Sequence, residues 1–502
     1  MLLQVLAVGA AACSSAALPG ADAGGTGGAV GVGGTDGGAP GVGGGAGRAD
    51  ASIDAPPVMD GWQVLAPPLS RKLDMLFMID NSQSMLPLQS KLIASFPSFM
   101  NVLKALPGGL PDVHVAVVSS DTGPAKFDLP DRHCAFRGDG GRFQSTPRGT
   151  CVVAPLPAGQ TFLAASQNQQ QRNYTGDITD AFTCIAALGD QGCGFEGQLK
   201  SVRWALDPHN LPAGNAGFLR DEAYLAVVLV TNEDDCSLPD DSDLADPTQT
   251  LMTDPLGPLW SWRCNEFGHL CIINGTLQSP PRATAMSNLQ GCISNETATS
   301  KLTRVGDEVS FLRSLKQNPN QVLVAAISGP PTPYSYEMIQ TGLDVAPHPN
   351  IVHSCTQNSG EFADPSVRIQ QWVASFGVNG LSQSICASTL APALQLVGNR
   401  IAGVFGPTCV SGPFPATSPG AQPACRVVDR SSQGANPTQV LLPNCTSNGQ
   451  TPPCWSLVDD VAGCLDGKRL VLDRGTTTPP ADLTTAFTCA PCAPGSTEIG
   501  CP

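Results

Sequence analysis

Stretches that stay apolar for the full length of a strand constrain this chain most: Leu73-Asp-Met-Leu-Phe-Met-Ile-Asp80, Leu225-Ala-Val-Val-Leu-Val-Thr231 and Val322-Leu-Val-Ala-Ala-Ile-Ser328, with Val113, Val115, Val117 and Val118 marking a fourth strand. A strand that is apolar at successive positions has both faces covered, which is the pattern of a parallel sheet. Between the first two strands, Met85, Leu88, Leu92, Phe96, Phe99 or Met100, and Leu103 recur every three or four residues, and Pro107-Gly-Gly follows. That spacing puts one apolar stripe on a helix. Similar helical patterns cover about 197–206, 303–316, 367–376 and 390–401. Strands alternating with helices predict an α/β fold with a doubly wound, mostly parallel sheet.

The chain has 502 residues and a net charge of −15, from 27 Lys+Arg against 42 Asp+Glu. That length allows more than one domain. No block of Lys or Arg is present to replace phosphate counterions, so a nucleic-acid partner is not expected. After the amino terminus no apolar run reaches the roughly 18 residues of a membrane-spanning helix. Nineteen cysteines, scattered through the chain, point to an oxidising compartment. The first residues form a short apolar stretch ending Ala10-Ala-Ala-Cys13, which resembles the end of a bacterial lipoprotein signal. That resemblance implies lipid attachment at Cys13 and a location at the outer membrane or cell surface. An ordinary cleaved signal would instead leave a periplasmic or secreted protein. Eighteen cysteines then remain, and short spacings suggest the pairs Cys134–Cys151 and Cys184–Cys193. The divisions expected are 1–18 as signal region, 19–60 as a disordered Gly/Ala-rich tether, 61–405 as the α/β domain, and 406–502 as a small β-rich module. Short apolar runs between turns and eight cysteines mark that last module, which is small enough to need disulfide staples.

In a doubly wound sheet, ligands gather beyond the carboxyl ends of the strands, where strand order reverses. Asp80-Asn81-Ser82-Gln83-Ser84 follows the first strand directly, and Thr231-Asn232-Glu233-Asp234-Asp235 follows the Leu225 strand. A carboxylate and two hydroxyls at alternating positions in one turn make a hard oxygen site. Such a site suits Mg²⁺, Mn²⁺ or Ca²⁺ rather than Zn²⁺, since neither thiolate nor imidazole takes part. The competing reading is a turn in which Ser82 or Ser84 caps the first helix.

Asp-x-Ser-x-Ser after a buried strand, followed by a second acidic loop, resembles the von Willebrand factor type A domain. The resemblance runs from about 73 to 401, interrupted by long insertions at about 123–174, 237–295 and 330–362. It implies a metal-ion-dependent adhesion site with Asp80, Ser82 and Ser84 as core ligands and a partner's carboxylate on an open position. The family's second-loop Thr falls near Phe195 or Glu196, so Glu196 is expected to ligate in its place, with Thr175, Thr179 and Thr183 less well placed. The third-loop Asp falls on Asn232, so any charge there comes from Glu233, Asp234 or Asp235. All three insertions are expected at the same sheet end, around this site, supplying specificity.

Other clusters carry weaker readings. Asp240, Asp241 and Asp243 lack the spacing of a calcium loop and read as a solvated acidic loop. His348, His353 and Cys355 form a conceivable metal cluster, with Cys355 read as a disulfide cysteine instead. Cys489-Ala-Pro-Cys492 has redox spacing but no surrounding βαβ pattern. Arg137-Gly-Asp139 is read as an ordinary turn. No nucleophile elbow, zinc-protease helix or phosphate loop is present, so no enzyme activity is expected. The expectation is a cell-surface adhesion or ligand-binding protein that uses a divalent cation to engage a protein or matrix ligand. The alternative is a metal-independent structural or assembly protein of the bacterial envelope. A secreted hydrolase comes third.

Overall fold

The computed structural model describes residues 63–65, 71–106, 109–130, 133–146, 156–340, 346–405, 408–409, 425–431, 438–459, 468–475 and 484–489. Cys13, the signal region and the Gly-rich tether lie outside the described residues, as do Cys151, Cys464, Cys492 and Cys501.

Six strands form the main sheet in the spatial order Gly380–Ser384, Val322–Ser328, Tyr224–Val230, Lys72–Ile79, Asp112–Ser119, Leu163–Ala165. Every neighbouring pair is parallel except the last. The chain winds from Lys72–Ile79 to one edge, then returns to build the other edge from Tyr224–Val230 outward. Strand order therefore reverses between these two strands, the topological switch point of a doubly wound sheet.

Burial explains the apolar runs. Met75, Phe77 and Ile79 face one core with the helices Leu86–Lys104, Ile178–Ala186 and Ala391–Phe405. Leu76 and Met78 face the other with Gln198–Leu206, Val305–Ser314 and Val367–Ala374. In the first core, the Phe77 ring lies 5.7, 5.8 and 4.8 Å from the rings of Phe96, Phe99 and Phe182. Phe96 and Phe182 stack at 3.6 Å, joining two helices over the central strand. Two strands escaped the sequence reading. Leu163–Ala165 is only three residues long, and Gly380–Ser384 is a polar, partly exposed strand next to a single partner, so neither needs a continuous apolar run.

All three insertions leave the carboxyl ends of parallel strands, as expected. The second and third together form a separate five-stranded sheet in the order His348–Val352, Tyr334–Ile339, Met286–Ser294, His269–Ile273, Thr276–Gln278. The disulfide expectations are corrected. Cys134 pairs with Cys193, 59 residues away, and Cys184 is bonded elsewhere. Sequence proximity misled because the fold brings the first insertion and the loop before Gln198–Leu206 to the same sheet end. Further bridges join Cys236–Cys264, Cys271–Cys292 and Cys355–Cys386.

The carboxyl-terminal module is β-rich, with strands Cys425–Ser431, Thr438–Leu442, Cys454–Asp459, Lys468–Asp473 and Thr484–Cys489, and bridges Cys425–Cys489 and Cys445–Cys454. Gln63–Leu65 pairs antiparallel with Thr484–Cys489, so a segment placed from sequence within the 61–405 domain completes a sheet of the module. Among the described residues, no helix is long and apolar enough to cross a membrane.

The aromatic cluster sets a stability expectation. Phe96→Ala removes a fully buried ring from contact with three others and should cost about 3–5 kcal/mol. Urea denaturation of the oxidised protein measures this, and a loss below about 1 kcal/mol would contradict the packing.

Candidate metal centre and the adjoining cavity

Asp80 stands at the end of the central strand, with its amide bonded to the Val230 carbonyl across the switch point at 2.9 Å. Its side chain has no solvent exposure. The carboxylate accepts at Oδ1 from the Ser82 amide at 2.8 Å and the Ser120 hydroxyl at 3.0 Å, and at Oδ2 from the Thr231 hydroxyl at 2.6 Å. Thr231 Oγ1 in turn accepts from the Gln198 amide at 3.1 Å, which aims its proton at Asp80. Burial pushes the Asp80 carboxyl up, and the bonds from Thr231, Ser82 and Ser120 partly offset this.

Two further side chains hold the turn from behind. Gln89 donates to the Asp80 and Gly189 carbonyls at 2.8 Å each and accepts from the Leu188 and Gly189 amides. The Gly192 amide bonds to the Asn81 carbonyl at 2.8 Å, and a Cβ at Gly192 would collide with the Asn81 side chain. Glycine is required there by close approach.

The predicted serine ligands share this site. Ser82 Oγ lies 3.4 Å from Ser84 Oγ, and Ser84 donates to Asn232 Oδ1 at 3.1 Å. Neither serine caps the following helix with its side chain, which removes the capping reading. The oxygens are spaced as adjacent ligands are around a divalent cation, where metal–oxygen distances of about 2.1–2.4 Å give octahedral edges of about 3.0–3.4 Å. The Ser82 hydroxyl also bonds to the Asp80 carboxylate, so a cation bound there would take the place of that hydroxyl proton. The donor set therefore fits a hard divalent cation. Asn232 is wholly buried and also donates to the Phe362 carbonyl at 3.2 Å.

The structure separates the remaining predicted ligands from this group. Asp234 Oδ2 accepts from His269 Nε2 and from the Val367 and Arg368 amides, all at 2.8 Å, while Oδ1 accepts from the Ile369 amide at 3.1 Å. It caps the Val367–Ala374 helix from another loop. Burial pushes its carboxyl up, but His269 and these amides outweigh burial and hold it below the ordinary value. Asp235 is buried against the guanidinium of Arg368, at 2.9 and 3.1 Å, and accepts from the Leu199 amide and the Ser237 hydroxyl. Both aspartates are spent on packing loops and helices together.

Glu196 turns instead toward a neighbouring acid that was left open in the sequence reading, Glu233. The two carboxyls lie within hydrogen-bonding reach of each other. Burial, then the negative charges of Glu233 and Asp80, hold Glu196 well above its ordinary value. Burial, then Asp364 and Asp80, raise Glu233 in the same direction. Both line a cavity of about 230 Å³ between the 231–236 loop and the second and third insertions. Asp364, in the same wall, bonds to His353 at 2.6 Å. Neither Asp364 nor this cavity was read from the sequence, because the cavity's lining is drawn from several segments between Glu196 and Pro365.

The other candidates resolve simply. Thr179 and Thr183 sit on the Ile178–Ala186 helix and bond to Asp177 and Asp180 locally, and Thr175 is exposed before it. Asp240 and Asp243 pair with Lys200 and Lys301. Cys355 is bridged to Cys386, and Cys489 to Cys425 rather than to its near neighbour. The Arg137 side chain lies over the Trp204 ring at 4.7 Å, and Asp139 accepts from Ser119 at 2.7 Å, so that tripeptide is a built turn. Among the described residues, no group of three or more His, Cys, Asp or Glu is arranged to hold a metal; the candidate centre depends on serine and amide oxygens.

No protein-family model matches the chain, and no curated protein matches it. Among solved structures, a pilus adhesin of Lactobacillus rhamnosus GG in an open conformation is 10% identical, with 84% of this chain and 39% of that one covered, at a TM-score of 0.29. A von Willebrand factor type A protein of Catenulispora acidiphila is 11% identical, with 85% and 59% covered, at 0.27. A pilus adhesin of Streptococcus pneumoniae is 10% identical, with 86% and 57% covered, at 0.27. This chain spans less than two thirds of each of these structures. The fold assignment rests on this chain's own topology, an Asp-x-Ser-x-Ser turn at the switch point of a doubly wound, mostly parallel sheet, which is the arrangement expected from the resemblance.

Asp234 provides the discriminating test between packing and ligation. Asp234→Ala strips His269 and three amides of their acceptor and should cost about 3–5 kcal/mol at neutral pH. Because the folded carboxyl is held below its ordinary value, its contribution is complete above that value and is lost as pH falls through the depressed one. Denaturant melts across acid pH should therefore show a shallower acid limb in the variant than in the parent, and parallel limbs would refute the assignment.

Proposed function

We propose that this protein is a surface or secreted ligand-binding protein of the adhesion type, acting through a divalent cation at Asp80, Ser82, Ser84 and Asn232. The observation that supports this most directly is the placement of Ser84 Oγ 3.4 Å from Ser82 Oγ and 3.1 Å from Asn232 Oδ1, beside the buried Asp80 carboxylate at the switch point. A bound Mg²⁺, Mn²⁺ or Ca²⁺ supplies open coordination positions there for a partner's carboxylate. The protein's own contribution is to hold the oxygens in place: Thr231 and Ser120 anchor Asp80, and Gln89 and Gly192 lock the turn. With a single carboxylate among these ligands, affinity should be modest, on the order of 10⁻⁴–10⁻³ M, the range of extracellular calcium modules.

The insertions frame this end of the sheet, and bridges such as Cys134–Cys193 and Cys236–Cys264 hold them in order, suiting a specificity rim outside the reducing cytoplasm. The role proposed is binding rather than catalysis, with attachment to the outer membrane through a lipid at Cys13.

Calorimetric titration of Mg²⁺, Mn²⁺ and Ca²⁺ into the oxidised protein tests the reading. The parent should bind, Asp80→Ala should not, and Ser82→Ala or Ser84→Ala should weaken binding about tenfold, or 1.4 kcal/mol. Partner association that persists in chelator and in Asp80→Ala would instead support the metal-independent envelope role.

A further inference from the structure

The cavity beside the candidate centre has its own chemistry. Of the acids in its wall, Asp234 is matched by His269, Asp235 by Arg368, and Asp364 by His353. Glu196 and Glu233 have no cationic partner among the described residues, and the wall contains no Lys or Arg. Glu196 is 2% exposed, and no donor reaches its Oε1. A buried acceptor without a donor is costly, and two adjacent carboxyls without a cation are more so. The arrangement is that of a receptor for donors and positive charge.

Size and walls narrow the class. A bare divalent cation requires ligands converging at about 2.0–2.6 Å, whereas this cavity encloses about 230 Å³. Its walls include flat aromatic pairs: Trp260 lies parallel to His348 at 4.2 Å, and His353 stacks on Phe362 at 3.7 Å. A planar, weakly hydrated cation with several in-plane donors matches paired carboxyls and aromatic faces together. We propose that the cavity binds the guanidinium group of an arginine side chain presented by a partner protein, with Glu196 and Glu233 taking its fork. It uses none of the Asp80, Ser82 or Ser84 oxygens, so it goes beyond the cation reading and does not depend on it.

The test uses the full oxidised chain in chelator at neutral pH, titrated calorimetrically with Nα-acetyl-arginine amide. Its lysine and citrulline counterparts are titrated alongside. The arginine derivative should bind, the lysine derivative should bind about tenfold more weakly, and the uncharged citrulline derivative should give no binding. Glu233→Gln should weaken arginine binding at least about tenfold. Glu196→Gln serves as the second variant, and thermal melts confirm that each is folded. Equal behaviour of arginine and citrulline, no arginine binding up to tens of millimolar, or unaltered binding in both glutamine variants would overturn the proposal. Displacement of arginine by Ca²⁺ in Asp80→Ala would also overturn it, assigning the cavity to a metal. Because Mg²⁺ binding reads Asp80 and arginine binding in chelator reads Glu233, failure of either reading is seen without the other.

Discussion

A carboxylate with no access to water stands at the end of the central strand, and much of the architecture around it answers that constraint. Taking Asp80 out of solvent costs several kcal/mol unless donors replace the lost hydration. They come from three places in the sheet: Ser82 in the same turn, Ser120 past the neighbouring strand on one side, and Thr231 past the neighbouring strand on the other. Because Lys72–Ile79 lies inside the sheet, the loops after both neighbouring strands can approach this one carboxylate. Donors from the loops on both sides are thus what makes a buried, oriented carboxylate affordable.

The acids around this point divide by what they touch. Asp234 and Asp235 follow Glu233 in sequence yet serve a different purpose: one caps a helix by receiving its first amides, and the other receives a buried guanidinium. Both sets of bonds tie the loop after Tyr224–Val230 to the Val367–Ala374 helix. That helix packs on the second core, so the acid loop is fixed to the body of the domain and Glu233 is held toward the cavity. Glu196 and Glu233 receive no comparable compensation, although they cost as much to bury. Glu196, in the loop before Gln198–Leu206, keeps a buried oxygen with no donor, whereas Asp234 and Asp235 are fully used in packing.

Much of this fold was legible from sequence because parallel strands covered on both faces leave continuous apolar runs, and the helix after the first strand shows its stripe at Leu88, Leu92, Phe96 and Leu103. Asp80, Ser82 and Ser84 were legible for a related reason, since local spacing in one turn determines how they converge. Asp234 and Asp235 misled because adjacency in sequence does not say which way consecutive side chains point, and a helix arriving more than a hundred residues later decides it. Disulfides failed for the same reason: Cys134 finds Cys193 through the sheet order, not through chain distance. The cavity is the extreme case, because Glu196, Trp260, His348 and Asp364 belong to four separate segments.

The insertions then acquire a structural logic beyond decoration. Loops of this length are usually disordered unless something holds them, and here strands from the second and third insertions pair into one sheet whose His269 bonds to Asp234 and is itself held by the Tyr334 hydroxyl. His269 sits at the first position of its strand, so its bond to Asp234 joins the insertion sheet, the acid loop and the helix cap at one point. A displacement of the insertion sheet would therefore be felt at the loop that carries Asn232 and Glu233, which flank the candidate centre and the cavity respectively. Two sites with different chemistry, one built of hydroxyl and amide oxygens and one of paired carboxyls and aromatic rings, share a single loop as their common wall, and a partner that filled both would be held by two independent recognition elements on one rigid support.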